Sequence, residues 1–204
     1  FLLSKDDGSR IVNRDQAPPS IKTELQALRR SKTFRFTVLG YAGYAASVIG
    51  FSTFGPSIVV GLGLWTDSVQ ASLAFSATLA VSGALGTPLG GLALDAWTRK
   101  REHKLRAALE VSIATVGAGA LLITPAAFAR DRAWFLASIG LGTLPLFAAT
   151  SPMNVSIFEG VPREHRAFGI AVATLLMHAF GDVPSPVVVG LLKDRWAPDC
   201  APDA

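Results

Sequence analysis

The chain has 204 residues, half of them hydrophobic and only 17% charged, with a formal net charge of +4. A soluble domain of this size carries about 25% charged residues, so an ordinary water-soluble globule is excluded. The single cysteine, Cys200, leaves no disulfide framework and no cysteine metal site. The basic charge belongs to no compact basic domain or recognisable binding motif, so no nucleic-acid partner is expected.

Residues 1–35 read as a cytoplasmic linker. "SKDDGSRIVNRDQAPPS" mixes turn formers with both signs of charge and is expected to be irregular. "IKTELQALRRSKTFRF" reads as a short amphipathic helix at the membrane interface, with Arg29, Arg30, Lys32 and Arg35 toward anionic head groups of membrane lipids.

Residues 36–194 read as an all-α transmembrane bundle. Five nearly charge-free runs lie at about 36–61, 69–94, 107–128, 133–158 and 167–192. Each is long enough to cross a bilayer core, which takes roughly 20 residues of helix. None shows the polar stripe of a soluble core helix. The polar residues 195–204 form a tail on the opposite side from the leading segment. The chain is expected to be part of a longer protein.

Positive charge sets the orientation. Lys and Arg crowd the leading segment, the 95–106 connection and the 159–166 connection, which hold fifteen of the nineteen. The positive-inside rule then places the leading segment in the cytoplasm. His103 and His165 fall in these basic loops and are expected to be solvated. Glu159, Arg163 and Arg166 read as topogenic or interdomain residues, with Pro162 suited to the first turn of a helix.

In the first span, Tyr41, Tyr44, Phe51 and Phe54 place aromatics on overlapping faces. Tyr44 and Phe51 are candidates for an amphiphile pathway, beside the simpler reading of packing or lipid contact. The second span contains "SGALGTPLGGLALD", with Gly86 and Gly90 as a GxxxG pair. Small residues at this spacing let helices approach closely in lipid. No strand precedes these glycines and no Lys-Ser/Thr follows, so dinucleotide and P-loop readings fail and no cofactor is expected. Pro88 is expected to kink this span. Gly117 and Gly119 have a packing role in the third.

At the cytoplasmic end of the second span, Gly91, Asp95 and Arg99 are spaced four apart in "GGLALDAWTRK". This resembles the loop signature of the major facilitator superfamily, G-x-x-x-D-x-x-x-[RK]. The match is partial, with Thr98 where the family often has Gly and Ala96 where it often has a basic residue. Such a degenerate copy resembles the family's second signature, between its spans eight and nine. The resemblance implies a conformational latch, with the Asp holding a neighbouring helix end and nearby Arg.

In the fourth span, Asn154 is a buried polar candidate beside the helix-bending Pro145 and Pro152. The fifth span carries "MHAFGDVPSP" near its middle. A charged Asp182 at the midplane costs about 2.5–3.5 kcal/mol on insertion scales. His178 lies four residues earlier on the same face and could share a proton with it. Pro184 and Pro186 withdraw backbone donors from the carbonyls of Phe180 and Asp182, and Gly181 permits a bend. Helices interrupted at such depth occur where they are buried in protein or line a watery cavity. Two readings stay open for His178, Asp182 and Ser185: a substrate or proton pathway, or a polar knot fixing this helix to a neighbour.

The ordered residues His178, Gly181-Asp182, Ser185-Pro186, Gly190 and Asp194, after Ser151-Pro152, Asn154, Val161-Pro162 and Arg166, resemble the Spinster-like branch of that superfamily. The resemblance covers about 36–194 and implies helices seven to eleven of twelve in a major facilitator fold. It further implies alternating access, with an amphiphilic lipid of lysophospholipid or sphingoid type as substrate and protons as a possible coupling ion. Partners would include the amino-terminal six-helix half and helix twelve. The alternatives are a transporter of another small organic solute and a non-transporting membrane scaffold. No HExxH motif or nucleophile–base set supports a membrane enzyme.

Overall fold

A computed structural model describes residues 20–196; the expected irregular linker and most of the polar tail lie outside the described residues. Five helical segments are long and apolar enough to cross a membrane: Lys32–Gly61, Ser68–Thr98, Lys104–Phe128, Arg132–Glu159 and Arg163–Trp196. Each contains one of the five nearly charge-free runs of the sequence. The elements are α1 (Ile21–Arg30), α2 (Lys32–Gly61), α3 (Ser68–Thr98), α4 (Lys104–Ile123), α5 (Arg132–Ala148), α6 (Thr150–Glu159), α7 (Arg166–Met177) and α8 (Pro184–Trp196). The first two spans are the single helices α2 and α3. The third is α4 with a closing 3₁₀ turn at Thr124–Phe128, the fourth is α5 with α6, and the fifth is α7 with α8.

Backbone chemistry explains the interruptions. Asp67 and Asp131 cap α3 and α5 by accepting from Val69 and Trp134 N–H at 2.8 Å each. α3 passes through Pro88 without a break. The fourth span breaks at Ala149, between Pro145 and Pro152, because neither proline can donate to the helix ladder. Pro152 in particular leaves the Ala148 carbonyl without its donor four residues on.

Glycines decide which spans touch. A Cβ on Gly90 would lie 1.9 Å from the Ala148 carbonyl oxygen, and one on Gly86 would lie 2.4 Å from that of Leu144. The GxxxG pair of the second span is therefore a packing surface, against the broken fourth span. Gly119 and Gly142 play this part between the third and fourth spans, meeting Leu146 and Ile123. Gly50 and Gly181 do so between the first and fifth, meeting Ser185 and the Ala42 carbonyl. Phe75, fully buried, sits on Gly55 to join the first and second spans. Its cluster includes Val59, Trp65, Phe135 and Ile139. Arg132 closes that end, stacking over Trp65 at 5.3 Å and bonding the Leu64 carbonyl.

The opposite end differs from the sequence expectation in three ways. The amphipathic stretch is not one helix: extended Ser31 separates α1 from α2, so Lys32 and Arg35 belong to the first span. Ser31 uses its hydroxyl twice, accepting from Phe34 N–H and donating to the Gly160 carbonyl at 2.8 Å. His165 is not solvated. Its Nδ1 lies 2.7 Å from the buried Glu24 carboxylate. Leu28 of α1 packs beside it, against Val161 and Gly169. A topogenic charge does not predict this docking, because the partners lie 141 residues apart. Arg166 also has a local task, pairing with Glu159 at 3.0 Å and stacking over Phe158 at 4.2 Å.

Candidate functional site

The fifth span changes winding where the sequence turns polar. His178–Asp182 form a π-turn, in which Val183 N–H reaches back five residues to the His178 carbonyl at 3.0 Å. Pro184 explains the position, since it has no N–H to continue the α-ladder. The prolines therefore do more than leave carbonyls free: they rewind the backbone. Such π-turns inside helices gather at functional sites.

The two ionisable groups meet at this turn. His178 Nδ1 pairs with Asp182 Oδ2, the histidine exposed and the aspartate half-buried. On the other face, buried Gly181 presses against the first span at Ala42 and Ala45. Ser185, also buried, donates its hydroxyl to the Ala46 carbonyl. Gly181 and Ser185 thus hold the turn against the first span. His178 and Asp182 are left on its accessible side. Both readings of this segment hold in part, a knot on one face and a titratable pair on the other.

Asn154 is not buried between helices as the sequence suggested. It is exposed and lines a cleft of about 280 Å³ between the first, fourth and fifth spans. Tyr41, Phe158, Ile170, Thr174 and Met177 complete its wall. Met177 immediately precedes the π-turn, so the cleft adjoins the His178–Asp182 pair. The site combines three polar side chains with an apolar surround. Tyr41 and Thr174 escaped the sequence analysis as members. Thr174 lies one turn before His178, and that spacing is the signal that could have placed it.

Tyr44 and Phe51 lie elsewhere. They line a larger, apolar cavity of about 1070 Å³ between the first, third and fourth spans. The Tyr44 hydroxyl is already bound to the Leu146 carbonyl at 2.7 Å, and Phe51 tilts against Phe75 with ring centroids 5.3 Å apart. Gly40, Gly43 and Gly117 open onto this cavity with nothing within 4 Å of an added Cβ. Open small residues at helical spacing mark a helix-packing groove in lipid. Size alone would favour this cavity, but the hydroxyls of Tyr44, Ser47, Ser52, Ser112, Thr143 and Ser156 that line it each already donate to a backbone carbonyl. The cleft by Asn154 is the better substrate candidate.

Asp95 and Arg99 are both exposed and make no ion pair among the described residues. Glu110 of α4 gathers the neighbouring groups instead. It accepts from Trp97 Nε1 at 2.8 Å and pairs with Arg106 and Arg101 at 3.0 Å each. The Arg101 guanidinium also lies 5.6 Å from the Trp97 ring centre. Two basic residues and an indole donor compete for one carboxylate, so this turn is tied to the third span rather than to Asp95. The signal was present in the four-residue spacing of Arg106 and Glu110. Among the described residues no group of three or more His, Cys, Asp or Glu could hold a metal ion.

Comparison with known proteins adds the family. The model of the Major Facilitator Superfamily matches residues 1–186. Among curated proteins, the "Probable sphingolipid transporter spinster homolog 3" of Arabidopsis thaliana is 29% identical over 172 residues, covering 84% of this chain and 32% of the relative. The "Probable sphingolipid transporter spinster homolog 2" of the same plant is 29% identical over 175 residues, covering 86% and 35%. The chain thus spans about a third of the length of the curated relatives it matches.

Proposed function

Because the chain belongs to the major facilitator superfamily, we propose that it forms the carboxy-terminal helical part of a secondary transporter for an amphiphilic lipid of sphingoid or lysophospholipid type. Its relatives' names point to sphingolipids. The observation that carries the reading is the paired cleft and π-turn. Asn154, Tyr41 and Thr174 supply hydrogen-bonding groups for a head group, while Phe158, Ile170 and Met177 supply apolar contact for the start of a chain.

The mechanism is alternating access, with this bundle rocking as a unit against the other half of the transporter around a central site. Glycine-mediated contacts suit a unit that moves without repacking, because backbone-to-backbone seams hold the second, third and fourth spans together. The His178–Asp182 pair is the candidate proton-bearing group. A carboxylate paired with an imidazole can exchange a proton with it, and a change of access to the pair would gate that exchange. The end carrying α1 faces the cytoplasm, on the strength of the positive-charge asymmetry.

The test is transport by the full-length protein in liposomes. Radiolabelled sphingoid phosphate and lysophospholipid are expected to cross, with Asn154→Ala and Thr174→Val lowering flux while insertion stays normal. If neither lipid moves and a polar organic solute does, the substrate reading is wrong.

A further inference from the structure

We propose that α1 and the first turn of the first span form a binding surface for anionic membrane lipids, docked on the turn between the fourth and fifth spans. Residues 20–36 contain one acid, Glu24, and five bases: Lys22, Arg29, Arg30, Lys32 and Arg35. Glu24 is turned inward and occupied by His165. The outward surface therefore carries cations alone. All five are exposed, and none pairs with a carboxylate among the described residues. Removing the sole acid from a basic surface is the arrangement expected of a site for negative charge.

The apolar residues decide which anion source fits. Leu28 is buried, but Ile21 and Leu25, one turn apart on the neighbouring edge of α1, stay exposed at 74% and 44%. Phe36, on the first turns of the span, is exposed at 71%. A helix packed on its protein through one edge while showing Ile and Leu on the next is unfavourable in water. It is stable at a bilayer surface, where those side chains enter the acyl boundary and the flanking bases reach phosphates. α1 ends one residue before the first span begins, so the surface lies beside the lipid head groups.

Docking gives the surface a lever. Through Leu28 and the Glu24–His165 contact, α1 grips Val161, Gly169 and the start of the fifth span, the helix that carries His178 and Asp182. Lipid held by α1 would bias the seating of that span.

The experiment places an environment-sensitive fluorophore at Leu25→Cys in the full-length protein with Cys200 and every other native cysteine replaced by serine. The protein is reconstituted in phosphatidylcholine alone and with about one third phosphatidylglycerol. The acrylamide quenching constant is expected to fall about threefold with the anionic lipid, in line with the attraction of clustered bases to anionic surfaces. The fall is lost in R29Q/R30Q/K32Q/R35Q, and in wild-type charge background at roughly 0.5 M NaCl, where the screening length shrinks to about 4 Å. Equal quenching in both vesicles overturns the proposal. So does an equal fall in the charge variant, which would make insertion purely hydrophobic. If an acidic peptide protects the site in phosphatidylcholine and anionic lipid does not, the surface binds protein instead.

Discussion

Gly90→Ala tests the packing account at its tightest point. The added methyl would lie 1.9 Å from the Ala148 carbonyl oxygen, where ordinary contact is roughly 3.4 Å. About 1.5 Å must be opened between the second span and the fourth. The obstacle is backbone, so no side chain can rotate away. Overpacking of this kind costs about 1–3 kcal/mol, against a gain of up to about 1 kcal/mol from replacing Gly by Ala in a helix. With the full gain subtracted, the net loss of about 0–2 kcal/mol corresponds to a melting temperature lower by up to roughly 8 °C for a chain of this size. Gly43→Ala is the control: nothing lies within 4 Å of its new methyl, so only the propensity gain remains and the melting temperature is expected to hold or rise. The assay is thermal unfolding of the purified protein in detergent, followed by tryptophan fluorescence. If Gly90→Ala melts with the wild type while Gly43→Ala melts lower, glycine-mediated contact between the second and fourth spans is not what holds this bundle.

Three further outcomes follow from the contacts described. Glu24→Ala leaves His165 unpaired in a half-closed site, a loss of about 1.5 kcal/mol, so amide exchange across α1 is expected to quicken roughly tenfold; unchanged exchange would mean Leu28 alone docks the helix. Glu110→Gln releases Arg101 and Arg106, so trypsin is expected to cut the 99–101 turn several times faster, whereas Asp95→Asn leaves the cleavage rate unchanged. Gly181→Leu drives a side chain into the Ala42 carbonyl, which already lies 2.7 Å from an added Cβ. Transport is then expected to fall by more than tenfold with the protein still inserted, and near-normal transport would show that the π-turn need not seat on the first span.

The spans were legible because membrane insertion is a property of composition over about 20 residues, which one sequence states in full. The GxxxG seam was legible for a related reason, since small residues at helical spacing serve one purpose in lipid. What resisted reading were pairings across long separations. Nothing local to Glu24 or His165 announces the other, and a histidine in a basic loop looks solvated until the tertiary contact is known. The break at Ala149 needed two prolines to act on one turn from either side. In the fifth span the proline cluster announced an interruption, while its form, a π-turn with Gly181 against Ala42, depended on the first span being there to receive it. At the end of the second span the motif fixes spacing but not contacts: Glu110 holds Arg101 and Arg106, while Asp95 and Arg99 make no ion pair among the described residues.

The account turns on the titratable pair at the π-turn, and one measurement addresses it directly: initial lipid flux into liposomes carrying the full-length protein, taken from pH 5 to 8 for wild type and Asp182→Asn. The wild type is predicted to show flux that changes with pH. Asp182→Asn is predicted to lose most of that flux and to show an altered pH profile, because the amide cannot exchange a proton with His178. Wild-type flux and an unaltered pH profile in Asp182→Asn would contradict the account, leaving the π-turn a structural knot and nothing more.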